Sequence, residues 1–158
     1  MPMGIEIERK FLVDRLPPGF TSLAGTPIRQ GYILVTANAA ELRVRQKQRR
    51  FFQTIKMGLG LSRTEIEIEL SRDQFTHLWP HTAGRRLSKT RYTVQVGGHS
   101  AELDRFDGRL AGLLLVEVEF ASVETAAQFR APAWFGDEVT TDDRFSNKNL
   151  AFYGIPGR

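Results

Sequence analysis

The sequence predicts a mainly β, α+β chain: a closed eight-stranded antiparallel β-barrel forming a tunnel, with a few short helices packed outside it. Three observations predict it. Eight short segments read as strands by two-residue periodicity or by β-branched and aromatic content. In six of the eight, charged residues recur at alternate positions. The charge is also segregated, some strands offering mainly acids and others mainly bases, whereas a wetted sheet face usually mixes both signs with Ser, Thr and Gln.

In chain order, the first strand covers about residues 4–13, with Glu6, Glu8 and Lys10 on one face and Ile7, Phe11 and Val13 on the other. Residues 14–27, with Pro17, Pro18 and Gly19, read as a loop or irregular helix. The second strand, 28–36, carries Tyr32. The third, 41–48, sets Glu41, Arg43, Arg45 and Lys47 against Leu42 and Val44, and the fourth, 51–57, carries Lys56. The fifth, 63–70, sets Arg63, Glu65, Glu67 and Glu69 against Ile66, Ile68 and Leu70.

Ser71 followed by Gln74 has the form of a capping box and opens a helix that ends near Pro80 and Gly84. Strands at 88–96, 100–106 and 113–120 bring Lys89 and Arg91, then Glu102 and Asp104, then Glu117 and Glu119. Ser122 precedes a helical run over 123–130, and a last helix runs from about 146 to 153 with Gly154 as its stop. His77 and His81 have the spacing of zinc ligands, but Pro80 interrupts that helix and the Glu of the zinc motif is absent, so they and His99 read as surface residues.

A barrel of eight strands has an interior just wide enough for side chains or one small ligand, so the charged faces converge inward. Their apolar partners then point outward, where the three helices and the 14–27 loop can cover some of them.

Length and composition bound the chemistry. A chain of 158 residues is a single domain, 1–158, large enough for a real core. No stretch approaches the ~18 apolar residues of a membrane span, and the start of the chain turns acidic and alternating at once, unlike a secretory signal. The expectation is a cytoplasmic protein with no membrane partner. There is no cysteine, so any metal is held by carboxylates or histidines, and oxygen ligands favour Mg2+ or Mn2+. A net charge of +4 is compatible with an anionic partner.

Acids at i and i+2 on one strand have Cα atoms roughly 6.6 Å apart and can converge on one hard cation. Glu6, Glu8, Glu117 and Glu119 fit that role. Magnesium binds one or two carboxylates plus substrate phosphates, so a basic set stands opposite, supplied by Lys10, Arg43, Arg45, Lys56, Lys89 and Arg91. Arginine forks and lysine point charges together suit a chain of consecutive phosphates.

These residues resemble the CYTH, or triphosphate tunnel metalloenzyme, family, whose E-x-E-x-K signature stands here as Glu6-Ile7-Glu8-Arg9-Lys10. Gln30-Gly31-Tyr32, Leu42-Arg43-Val44-Arg45, Thr54-Ile55-Lys56, Lys89-Thr90-Arg91-Tyr92, Glu102-Leu103-Asp104 and Val116-Glu117-Val118-Glu119 also look like that family's strands. The compact bacterial branch, which includes inorganic triphosphatases, is the most similar.

The resemblance implies a metal at the acidic end of a tunnel and hydrolysis of tripolyphosphate to pyrophosphate and phosphate. It implies Glu6, Glu8, Glu117 and Glu119 as metal ligands, with Glu65, Glu67 and Asp104 lining the acidic side, one of them acting as base, and Lys89 among the catalytic groups. It adds Tyr32 as a phosphate or water partner, and Lys148, in Ser146-Asn147-Lys148-Asn149-Leu150, as a basic residue at a tunnel mouth.

An adenylyl cyclase, or a thiamine or nucleoside triphosphatase, is an alternative on the same fold. A further one is a non-catalytic polyphosphate or RNA binder using Arg43, Arg45, Lys47, Arg49 and Arg50. No base-reading segment is identifiable and acids share the site, so a small triphosphate is expected and nucleic acid is not. The expected assembly is a monomer or homodimer.

Overall fold

The computed structural model describes residues 3–37, 40–58 and 62–157. Among these residues nine strands form: β1 (Met3–Val13), β2 (Thr26–Val35), β3 (Glu41–Lys47), β4 (Arg50–Met57), β5 (Ser62–Leu70), β6 (Arg86–Val96), β7 (His99–Phe106), β8 (Leu114–Glu119) and β9 (Phe135–Glu138). All pair antiparallel in the order β5-β4-β3-β2-β6-β7-β8-β1-β9, and β1 also pairs β5, which closes the first eight into a barrel. The expected barrel is therefore present, its strands within about two residues of their sequence-read bounds.

Closure depends on the length of β1. Its N-terminal half pairs β5, with Glu6 opposite Arg63, and the stretch from Glu8 to Leu12 pairs β8 on the other edge, with Lys10 opposite Glu117. The edge that β5 leaves bare beyond Ile7 is taken by β9, where Phe11 and Val13 pair Glu138 and Phe135. This strand was not expected, since Phe-Gly-Asp-Glu is too short to show a period.

Among the described residues three short helices form: α1 (Arg72–Leu78) and α2 (Val123–Gln128) pack outside, whereas α3 (Asn147–Tyr153) closes one end of the barrel. Each starts on a serine whose side chain accepts a backbone N–H: Ser71 from Gln74, Ser122 from Thr125 and Ser146 from Asn149. At Ser71 the Gln74 side chain returns the bond to the serine N–H, completing the capping box. Ser71→Ala is expected to cost about 1 kcal/mol and, for a chain of this length, to lower the melting temperature by about 2–4 °C, readable by calorimetry.

The outward faces are largely apolar and are covered in part by α1, α2 and the 14–25 connection, with Ile68 left exposed, whereas the last helix, expected to cover them too, packs against the inner face instead. Phe75 of α1 and Trp79 pack on Val44, Phe51 and Leu70. Ala126 of α2 joins Phe129, Phe135 and, from the 14–25 connection, Phe20 and Leu23 over Phe11, Tyr92, Val116 and Val118. His99 is half-buried, its ring edge-on to Phe120 and Phe129, rather than a free surface residue. Gly31 has a packing reason, since a Cβ there would stand 2.5 Å from the Thr82 side chain.

One inner region departs from the expectation of a wholly charged lumen. Leu12, Leu87, Phe106 and Leu115 lie two residues from Lys10, Lys89, Asp104 and Glu117, so they share the inner face with them. They form an apolar cluster with Tyr32, Leu110 and Phe145, sealed by Leu150 and Ala151 of α3. Charge lines one stretch of the barrel and packing fills the other.

Candidate active site

The charged stretch encloses a cavity of about 510 Å³, within the range of small-ligand sites. Glu6, Glu8 and Lys10 reach it from β1, Arg43, Arg45 and Lys47 from β3, and Lys56 from β4. Glu65 and Glu67 come from β5, Lys89 and Arg91 from β6, Glu102 from β7, and Glu117 and Glu119 from β8. Ser146 and Asn147, at the start of α3, complete the wall.

The cations do not crowd one bare wall but interleave with acids. Arg45 meets Glu67 at 3.1 Å, Lys56 meets Glu6 at 3.4 Å, and Lys10–Glu117 and Arg43–Glu65 are longer, at 3.9 Å. Thr54 also donates to Glu67 at 3.0 Å. Strand order produces this, because β5 lies between β4 and β1 and so carries its glutamates to the cations of β3 and β4.

Two demands are nevertheless left unmet among the described residues. The Nε donors of Arg43 and Arg45 are buried without a hydrogen-bond partner, and such a group costs about 1–3 kcal/mol or more until an acceptor arrives. At the other pole the carboxyls of Glu8 and Glu117 are hydrogen-bonded to each other. Burial and the neighbouring Glu117 push the Glu8 carboxyl well above its usual range. Burial acts the same way on Glu117, but Lys10, the Glu8 hydrogen bond, Arg91 and Lys89 outweigh it and hold Glu117 well below. The two carboxyls are thus pushed apart, Glu8 above the ordinary carboxylate range and Glu117 below it. Glu119 is also raised, by burial and by the charges of Glu6, Glu102 and Glu117.

Such a pole fits a divalent cation, which would let both carboxylates ionise. Among the described residues no three acidic or histidine side chains close on one point.

Asp104, a sequence-read base, is not in the cavity lining. It is 2% exposed, with Lys89 Nζ at 2.7 Å and Arg91 Nε and Nη2 at 2.7 and 2.8 Å. Burial would raise its pKa, but Lys89 and Arg91 outweigh burial and lower it, so it is a poor proton acceptor. Lys89, 1% exposed, is the inverse case: burial outweighs Asp104 and brings the ammonium down to about 7. Burial, then Arg43, also lowers Lys56, and burial brings Arg45 to about 10.

Tyr32 is fully buried behind the lining. Its hydroxyl accepts from Gln30 Nε2 at 3.0 Å and is hydrogen-bonded to Arg43, and burial raises it to about 12. Lys148 does not line the cavity, whereas its neighbour Asn147 does. Asn147, Ser146, Glu102, Arg63 and Glu41 are lining residues that sequence reasoning did not assign, and Lys47 entered only the polyphosphate- or RNA-binding alternative. Glu41, Arg63 and Lys47 share a face with assigned residues, so alternation alone could have found them. The rotation of a seven-residue helix about its axis has no such marker.

A closed eight-stranded barrel around a lumen of paired acids and bases is a phosphate-handling architecture, and the chain belongs to the CYTH domain family, whose profile matches residues 4–146. Membership implies a divalent metal ion. The chain is 50% identical over 147 residues to the inorganic triphosphatase of Nitrosomonas europaea, covering 92% of this chain and 96% of that one. It is 36% identical to the inorganic triphosphatase of Acetivibrio thermocellus, covering 94% of each. A solved structure of an inorganic triphosphatase, 48% identical, superposes with a TM-score of 0.73 over 96% of this chain and 97% of that one.

Proposed function

We propose that this chain is a metal-dependent inorganic triphosphatase that hydrolyses tripolyphosphate to pyrophosphate and phosphate with Mg2+ or Mn2+. One observation carries the reading: the same cavity brings together the buried Nε–H groups of Arg43 and Arg45, without an acceptor among the described residues, and the adjacent buried carboxyls of Glu8 and Glu117. The relatives' activity supports it.

Glu8 and Glu117, flanked by Glu6 and Glu119, would hold the cation, which when bound would supply positive charge toward the phosphates and lower the pKa of water. Arg43 and Arg45 turn their unpaired Nε–H groups to phosphate oxygens, and Lys10, Lys56 and Arg91 neutralise the rest of the chain. Tyr32 and Gln30 steady Arg43 from behind. Water attacks the terminal phosphorus as its bond to the bridging oxygen breaks; the bridging oxygen leaves with pyrophosphate and the water proton passes to Lys89. Glu65 and Glu67 are held by Arg43 and Arg45, which leaves Lys89, brought down to about 7 by burial, as the better acceptor.

The cavity lining contains no aromatic side chain among the described residues, so nothing there stacks a nucleobase or thiazolium. Phosphate release measured across tripolyphosphate, ATP, thiamine triphosphate and pyrophosphate, with and without magnesium or manganese, should be fastest for tripolyphosphate and abolished by chelator. Cyclic AMP formation from ATP exceeding phosphate release would overturn the reading.

Since binding relieves both unmet demands, tripolyphosphate with magnesium should also raise the melting temperature. Mass action amounts to about 2.7 kcal/mol at a hundredfold excess over Kd. Because Lys89 must be neutral to accept a proton, kcat/KM should rise with pH through about 7 in the free enzyme.

A further inference from the structure

We propose that Asn147, the first residue of α3, is a positioning residue that holds the Lys89 amine between its own carboxamide and Asp104, so that the third nitrogen position faces the cavity. The inference rests on the catalytic reading of Lys89 given above.

The geometry is a two-point clamp. Lys89 Nζ lies 2.7 Å from Asp104 Oδ2 and donates to Asn147 Oδ1 at 3.2 Å. A lysine nitrogen has three positions beyond its carbon. With two N–H groups placed on Asp104 and Asn147, the direction of the third is determined, whether it is an N–H in the ammonium or the lone pair in the free amine. Asp104 alone would not do this, since both its oxygens also serve Arg91 and draw the amine into the wall.

Asn147 lines the cavity, so the second anchor lies on the side where phosphate would sit. The anchor is itself fixed, because Leu150 and Ala151 are fully buried one turn on and Ser146 caps the helix. The same segment steadies Lys10, whose Nζ donates to the Phe145 carbonyl at 3.2 Å.

The chemistry of the anchor matters as much as its place. Around Lys89 stand Asp104 on β7, Arg91 on β6 and Glu117 on β8, with Arg29 and Asp107 along its outer side. From α3 comes only the neutral Asn147. A neutral acceptor orients the amine without adding charge, whereas a carboxylate would hold the proton on it.

The test compares the full-length wild type with Asn147→Asp and Asn147→Leu by two measurements. One is the pH profile of tripolyphosphate hydrolysis with magnesium. The other is direct titration of the Lys89 side-chain nitrogen by NMR in metal-free, substrate-free protein. Asn147→Asp is nearly isosteric and should move the titration, and the rising limb of the profile, about one unit or more to higher pH. Asn147→Leu should move the titration to lower pH and reduce kcat about 10- to 100-fold, with KM changed less than about threefold.

Opposite displacements by two substitutions at one place are what a structural role would not produce, and Asn147→Asp keeps the test intact if Asn147→Leu loosens the helix. Three coincident Lys89 titrations would overturn the proposal, as would a raised KM with kcat unchanged, which would make Asn147 a phosphate ligand instead. Failure of the triphosphatase reading would appear separately, as a wild type inactive on tripolyphosphate, while the NMR arm still reads the clamp.

Discussion

Glu8→Gln should lower kcat/KM for tripolyphosphate by about a thousandfold, or about 4 kcal/mol of transition-state stabilisation, while leaving the melting temperature almost where it was. The two effects separate because of the Glu8–Glu117 contact. In the metal-free protein Glu8 is buried against Glu117, and burial and that neighbour raise its pKa, so a neutral glutamine of the same shape should disturb it little. Once a divalent cation occupies the pole, both carboxyls must be ionised to bind it, and glutamine cannot follow. Phosphate release at limiting and saturating magnesium, beside calorimetry of the metal-free proteins, reads both halves. A variant within about threefold of wild type at limiting metal would remove Glu8 from the cation site. Glu117→Gln should be as damaging to activity, but it should also cost stability, because Glu117 is the acid facing Lys10.

Asp104→Asn should show the reverse pattern, a loss of stability of about 3–5 kcal/mol, because it removes the shared counterion of two buried cations without removing the cations. Lys89 is 1% exposed and the Arg91 side chain 14%, so water cannot take over. For a chain of this length the melting temperature should fall by about 6–20 °C. The pH dependence follows from the signs. Asp104 is held below its unfolded value of about 3.9, so its contribution is complete above that value and is lost as pH falls through the folded one. In the variant, Lys89 can escape by losing its proton. The gap between wild type and variant should therefore be widest near pH 5, narrowing in acid and again toward pH 7. Denaturant melts across that range measure it. A gap under about 1 kcal/mol at pH 5 would mean that the lysine and arginine are not held by Asp104, and adding Lys89→Met to the variant should recover part of the loss.

The barrel was legible because its information is local. Alternation assigns every charged residue of β3 and β5, and all those of β1 except Arg9, to one face, and Ser71, Ser122 and Ser146 mark three helix starts, each needing only a few consecutive residues to be read. The same alternation put Glu6, Glu8, Glu117 and Glu119 on faces that meet. It could not have found β9, four residues with one large apolar side chain, whose strand character comes only from the edge of β1 that β5 leaves open.

By itself, the sequence determined which side of each strand is charged, how many strands there are to close a barrel, and that the lumen suits phosphates and a hard cation. Only the tertiary structure decided how those charges are spent. Asp104 and Glu102 are equivalent by alternation, yet Asp104 is sealed between Lys89 and Arg91 while Glu102 lines the cavity. Leu12 and Leu115 sit on the charged faces of their strands, but packing with α3 turns that end of the lumen into core. Lys148 and Asn147 are neighbours, and one step of about 100° around α3 puts the carboxamide, not the ammonium, in the wall. The reason is common to all three: face is encoded by neighbours along the chain, whereas ion pairing, desolvation and helix rotation depend on strand order, register and distant packing that no local period carries.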